Sequence, residues 1–264
     1  MGIVNITPDS FSDGGRFFDL DRALSHARAL IAAGADVLDI GGESTRPGAE
    51  PTAETEELSR VIPLITAIRL EHPIPISIDT VKPGVARAAI AAGASIWNDV
   101  QALRSDDALA AAAGLGCEVV LMHMQGEPRT MQHNPVYGNA VAEVADFLGD
   151  RAEAAIAAGV GRSRIWLDPG LGFGKTAAHT LALIDGLPTL SALGYPIVLG
   201  ASRKRFIRAV DPAAVETSDR LGGSLAAALA GVLRGAAMVR VHDVRETVQA
   251  LKVWDAISQV AEGR

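Results

Sequence analysis

Four times along this chain a helix-like run closes on a glycine, passes through a small residue and enters a short apolar stretch: AAGADVLDI, AAGASIWNDV, GLGCEVVLM and RGAAMVRV. Glycine at a helix end supplies the left-handed backbone that caps it. An apolar run without alternation is what a strand buried on both faces requires. PISID (75–79), RIWLD (164–168) and PIVLG (196–200) fit the same role, and GIVNI at the start brings the strands to eight. Helix-length segments lie between them, among them residues 20–33, 53–72, 139–158 and 243–260. Strand alternating with helix through 264 residues predicts an α/β chain folded as one (β/α)8 TIM barrel domain over 1–264. An open doubly wound sheet also alternates, but it does not require eight units.

A barrel of this kind draws its functional groups from the C-terminal ends of its strands and the loops beyond them. Those ends read Asn5, Asp39, Asp79, Asn98 with Asp99, Met122 with His123, Asp168, Ser202 with Lys204, and Arg240 with His242. Most are amides, carboxylates or cations, which favours a site over chance termination of the strands. The loops TPDSFSDGGRFF and GGESTRPGAEP are longer than ordinary connections and read as lids. DPGLGFGKT looks at first like a phosphate-binding loop. The required glycine five residues before Gly174 is Pro169, however, and Gly170, Gly172 and Gly174 run G-x-G-x-G, so neither nucleotide fingerprint is met.

The formal net charge of -7 disfavours a nucleic-acid partner, and the one basic run, Arg203-Lys204-Arg205, is too short for a binding stripe. The lone Cys117 excludes an internal disulfide and, within CEVVLM, reads as core packing. No signal-peptide pattern opens the sequence, and LAAALAGVL is too short to span a bilayer, so a cytoplasmic protein without a membrane partner is expected. His123 and His133 lack the companions of a zinc site.

The ordered segments NITPDSFSDGG, GGESTRPG, SIDT, NDV, MHMQG, DPGLGFGK, SRK and RVHDV closely resemble the dihydropteroate synthase family of pterin-binding enzymes, from Gly2 to about Ile257. The resemblance implies a (β/α)8 barrel that condenses 6-hydroxymethyl-7,8-dihydropterin pyrophosphate with 4-aminobenzoate, giving 7,8-dihydropteroate and pyrophosphate. Asp79, Asn98, Met122, Asp168, Phe173, Lys204 and Arg240 are then expected around the pterin, with Asp79, Lys204 and Arg240 carrying the chemistry. Asp168 at a strand end suits the adjacent ring N–H and amino donors of a reduced pterin. Asn5, Thr45, Arg240 and His242 are expected at the pyrophosphate, with Asn5 as a ligand of Mg2+. Phe11, Ser44, Arg46, Pro47 and Lys204, together with Ser10 and Asp13, match positions that enclose 4-aminobenzoate.

Some positions depart from the family pattern: Asn139 replaces a common aspartate, Thr180 follows His179 where asparagine is usual, and Trp97 replaces a smaller aliphatic residue. These bear on local stability and pocket shape. The segment LGGSLAAALAGVLR, apolar or small nearly all round, asks for a second cover and with the resemblance predicts a homodimer through the last two helices. Two other readings use the same barrel, a methyltetrahydrofolate-dependent methyltransferase and a noncatalytic pterin-binding paralogue. Thr45, Arg46 and RVHDV favour the synthase over the first, and the two intact lid sequences favour it over the second.

Overall fold

The computed structural model describes residues 1–6, 16–44, 50–126 and 130–262, and the backbone alone at 16–19 and 260–262. Its strands are β1 (Gly2–Asn5), β2 (Leu38–Gly41), β3 (Ile76–Asp79), β4 (Ile96–Asp99), β5 (Glu118–Met122), β6 (Ile165–Asp168), β7 (Ile197–Leu199) and β8 (Ala236–Val239). They form one parallel sheet in chain order. The chain just past β8 returns to β1, where Gly2 bridges Val241 and the Ile3 N–H donates to the Val241 carbonyl at 3.0 Å. The sheet is thereby closed into the expected barrel.

The outer helices are α1 (Arg16–Ala32), α2 (Glu54–Glu71), α3 (Pro83–Ala91), α4 (Ala108–Leu115), α5 (Ala140–Ala157), α6 (Ala177–Asp185), α7 (Leu187–Ser191), α8 (Arg205–Val210), α9 (Leu221–Leu233) and α10 (Val244–Glu262). The segments expected as helices at 20–33, 53–72, 139–158 and 243–260 are α1, α2, α5 and α10. Two connections each carry a pair of helices, α6 with α7 and α8 with α9.

The glycines of the repeat adopt the conformation that the repeat predicts, with φ of 97° at Gly34, 112° at Gly93, 62° at Gly116 and 98° at Gly235. Gly159 and Gly194 do the same at 109° and 79°. Their repeats are disguised, because the single turn Arg162–Arg164 separates Gly159 from β6, and Tyr195-Pro196 separates Gly194 from β7.

Strand residues alternate between two cores, as period-two geometry demands. Met1, Val37, Ile96, Val120 and Val198 pack with Trp166 and Met238 on the barrel axis, whereas Leu38, Ile40, Ile78, Trp97, Leu121, Leu167 and Leu199 join the larger core under the helices. The filled axis gives the mouth a floor. Trp97 is fully buried in the outer core and donates its indole N–H to the Thr80 carbonyl at 2.8 Å, so it shapes the shell and not the mouth. Cys117 is also in that core, and burial pushes its thiol up. Asn139 caps α5 by accepting from the Val141 and Ala142 N–H groups, and Thr176 with His179 forms a capping box at α6.

Candidate active site

Axis-facing parity carries polar residues to the C-terminal mouth. Across the first four strands Asn5, Gly41, Asp79 and Asn98 stand in register, and on the next pair Met122 stands beside Asp168. Arg240, two residues beyond Met238, reaches across the opening. Its Nε donates to Asp39 Oδ2 at 2.6 Å and its Nη2 to Asp79 Oδ2 at 2.8 Å. Asn98 Nδ2 lies 3.4 Å from Asp39 Oδ1. Asp39 is wholly buried and spends its carboxylate on Arg240 and Asn98. Asp79 differs, because its Oδ1 is buried with no hydrogen-bond partner. A buried acceptor left open is costly unless something else supplies the donor.

Asp168 presents a second open acceptor. Its Oδ1 receives the Gly170 N–H at 2.7 Å, while Oδ2 has no partner among the described residues and faces Gly200, where a Cβ would stand 3.9 Å away. Pro169 and the glycines then fold the loop against the β5 end. Gly170, Gly172 and Gly174 have φ of 65°, 80° and 60°, and a methyl on Gly170 would drive into the His123 carbonyl. Gly170 and Gly174 serve this close approach to the His123 and Gln125 carbonyls, and Gly172 supplies left-handed backbone between them. Lys204 donates to the Leu171 carbonyl, and its Nζ sits 4.4 Å from the centre of the Phe173 ring. Val100, Met122, Met124 and Met131 pack together with Val81 and Phe173 against them, giving an apolar wall beside the open carboxylates.

The electrostatics follow from enclosing opposite charges. Burial raises Asp79 to about 7, with Asp39 adding to the rise and Arg240 opposing it. Burial likewise raises Asp168, opposed by Lys204 and the Gly170 N–H. Lys204 is lowered to about 8 by burial and by Arg240, against the pull of Asp168. Arg240 stays charged: burial disfavours its proton, but Asp39 and Asp79 more than compensate.

Among the other expected residues, His242 pairs Nδ1 with Ser202 Oγ at 3.0 Å, joining the ends of β7 and β8. Asn5 Oδ1 lies beside Gly41, 3.5 Å from where a Cβ would be, and has no hydrogen bond among the described residues. Ser44 follows a tied neck: Glu43 accepts the Thr52 N–H at 2.8 Å and the Lys82 ammonium at 2.6 Å, and Lys82 also reaches Glu57 at 2.6 Å. Ser10, Phe11, Asp13, Thr45, Arg46 and Pro47 lie outside the described residues. Asp99 faces outward and caps its own turn through the Gln101 and Leu103 N–H groups. No group of three or more His, Cys, Asp or Glu side chains among the described residues is arranged to hold a metal. His133 is exposed, whereas His123 is buried against Lys175.

Two residues that sequence reasoning left without a role are prominent here. Asp39 was visible as a polar strand end, but its partner Arg240 is 201 positions away. Lys175 was visible only as the lysine of a failed phosphate loop, yet it is 4% exposed and lowered to about 7 by burial and by Lys204.

A packed barrel whose mouth offers open carboxylate acceptors, fixed cations and an apolar wall has the features of an enzyme site for a flat ligand that brings hydrogen-bond donors. A family model described as pterin binding enzyme matches residues 1–242. Dihydropteroate synthase of Haemophilus influenzae is 46% identical over 256 residues, covering 97% of this chain and 92% of that protein. Dihydropteroate synthase of Xanthomonas albilineans, solved with 4-aminobenzoic acid, superposes with a TM-score of 0.93 at 50% identity, covering 98% of this chain and 92% of the other. Its complex with 7,8-dihydropteroate gives a TM-score of 0.88 at 47% identity and the same coverage. The chain belongs to the pterin-binding enzyme family, among the dihydropteroate synthases.

Proposed function

We propose that this chain condenses 6-hydroxymethyl-7,8-dihydropterin pyrophosphate with 4-aminobenzoate, forming 7,8-dihydropteroate and releasing pyrophosphate. The observation that carries the reading to particular residues is the pair of open acceptors, Asp79 Oδ1 and Asp168 Oδ2, beside an apolar wall at the barrel mouth. A reduced pterin brings ring N–H and amino donors to such acceptors. Asn98 and Lys204 meet its remaining nitrogens and carbonyl, with Met122 and Phe173 against its faces.

In the reaction the C–O bond to pyrophosphate breaks, the cation left on the methylene delocalises into the pterin, and the 4-aminobenzoate nitrogen forms the new C–N bond and loses a proton. No side-chain nucleophile is needed. Asp79 and Asp168 favour the developing cation, and Arg240 and His242 favour the departing anion. Arg240 suits the task because Asp39 and Asp79 already fix the plane of its guanidinium.

Mg2+ fits this arrangement as a companion of the pyrophosphate. Asn5 offers a hard amide oxygen without another hydrogen bond among the described residues, and a cation of this kind takes its other ligands from phosphate and water. When bound it neutralises charge on the leaving group. Thr45 completes the pyrophosphate site, and Phe11, Ser44, Arg46, Pro47 and Lys204 enclose 4-aminobenzoate. A homodimer through α9 and α10 is supported by Leu233, Val253 and Ile257, apolar side chains that are 56%, 56% and 59% exposed. Sedimentation showing only monomer at micromolar concentration would count against it.

The relatives named above carry the synthase name, so neither the methyltransferase nor the noncatalytic reading gains support from them. No described helix is long and apolar enough to cross a membrane. The decisive assay is pyrophosphate release by purified protein with the pterin pyrophosphate and Mg2+, with and without 4-aminobenzoate. Amine-dependent formation of dihydropteroate is expected. Pyrophosphate release without it would sink the synthase reading.

A further inference from the structure

The loop between β6 and α6 turns through three left-handed glycines, which leaves its carbonyls outside any helix or sheet ladder. Each carbonyl from Leu171 to Gly174 is nevertheless captured by a different side chain. Lys204 takes Leu171, Gln132 takes Gly172, Lys175 takes Phe173 at 3.0 Å and the Tyr137 hydroxyl takes Gly174 at 2.8 Å. Lys175 is the most enclosed of these donors. Its Nζ also meets His123 Nδ1 at 2.8 Å and the His123 carbonyl at 3.3 Å. An ammonium has three N–H donors, and these three acceptors use them all. Burial and then Lys175 lower His123 to about 3, so its imidazole is neutral, and Nδ1 accepts from the ammonium in the tautomer protonated at Nε2.

We infer that Lys175 is a positioning residue of the pterin subsite, binding the Phe173 carbonyl to the end of β5 so that the Phe173 ring and Asp168 stay in place. With its head group saturated it touches no substrate and acts through the loop. The chain reverses direction over that loop with Gly170 and Gly174 pressed on the His123 and Gln125 carbonyls, so losing the lysine loosens the segment that carries both Phe173 of the wall and the Gly170 donor to Asp168. Tyr137 and Gln132, both from the β5–α5 connection, hold the same loop from its other side. This inference rests on the reading that the pterin binds at this mouth.

The test is calorimetric titration of 6-hydroxymethyl-7,8-dihydropterin pyrophosphate into the wild type, Lys175→Met, Tyr137→Phe and Asp168→Asn, with kcat at saturating substrates and melting temperature recorded for each. Lys175→Met relieves a buried charge while unpinning the loop. Pterin affinity should therefore fall about 10- to 100-fold, the scale of one lost hydrogen bond to a charged group, with kcat within about threefold of wild type and the melting temperature little changed. Tyr137→Phe removes one hydroxyl and keeps the ring; affinity should fall in the same direction by roughly 2- to 10-fold. Wild-type affinity in Lys175→Met, with Asp168→Asn impaired, would overturn the inference alone. Should Lys175→Met fail to fold, unchanged affinity in Tyr137→Phe would overturn it. Wild-type affinity in Asp168→Asn as well would overturn the pterin-site reading, and this inference with it.

Discussion

Replacing Asp39 by asparagine isolates what holds Arg240 across the mouth. The side chains are nearly the same size, so the change creates no cavity, and Asp39 is fully buried and accepts from Arg240 Nε at 2.6 Å. Breaking a buried ion pair by removing one partner costs about 3–5 kcal/mol when the other charge is stranded. Here Arg240 keeps Asp79 at 2.8 Å and is itself 20% exposed, so the expected loss is smaller, about 2–3 kcal/mol. For a domain of this size that corresponds to a melting temperature lower by about 4–12 °C. A second effect has a definite sign. The Asp39 charge raises Asp79, and Arg240 lowers it; without Asp39 the repulsion disappears and Arg240 has Asp79 alone as partner. Both changes lower the pH at which Asp79 takes up a proton. Differential scanning calorimetry, and pterin pyrophosphate affinity measured by titration across the neutral range, read the two effects. An unchanged melting temperature, or an acid limb moved to higher pH, would refute the clamp.

In Asp168→Asn an amide donor replaces one acceptor facing the pterin, and the loss of roughly 2–4 kcal/mol should reduce affinity on the order of 30-fold or more without unfolding the barrel, as calorimetry would show. In the wild type, pterin affinity should fall as pH drops through about 7, where Asp79 becomes neutral, and again as pH rises through about 8, where Lys204 loses its proton. Asp79→Asn should abolish the acid limb of that profile; an unaltered limb would assign it to another group. Gly174→Ala places a methyl against the Gln125 carbonyl at φ of 60°. The left-handed backbone alone costs about 1–2 kcal/mol, so thermal denaturation should come about 2–8 °C lower, with pterin affinity reduced.

The barrel was legible because its glycine caps and buried strands are local signals, repeated often enough to count. Asn5, Asp79, Asn98 and Asp168 were legible for a related reason, since an apolar run that stops at a polar residue marks the strand end where barrels place chemistry. Parity separates neighbours that look alike in sequence. Asn98 faces the axis, whereas Asp99 turns outward to its own loop. The Asp39–Arg240 pair was not legible, because nothing local in LDI or VRV states that β2 and β8 carry partners for one another. Nor were the bonds to the carbonyls from Leu171 to Gly174, which depend on how glycine dihedrals aim the backbone. Helices α6, α7 and α8 escaped because at 9, 5 and 6 residues they carry too few turns to display an apolar face, whereas α9 was visible as LGGSLAAALAGVL.

The measurement closest to the central claim is a crystal structure with 6-hydroxymethyl-7,8-dihydropterin pyrophosphate bound. The ring is expected at the mouth against Met122 and Phe173, its N–H and amino groups within hydrogen-bond distance of Asp168 Oδ2 and Asp79 Oδ1, and its pyrophosphate beside Asn5, Arg240 and His242. A pterin seated elsewhere, or one that leaves Asp79 Oδ1 and Asp168 Oδ2 without donors, would contradict that claim.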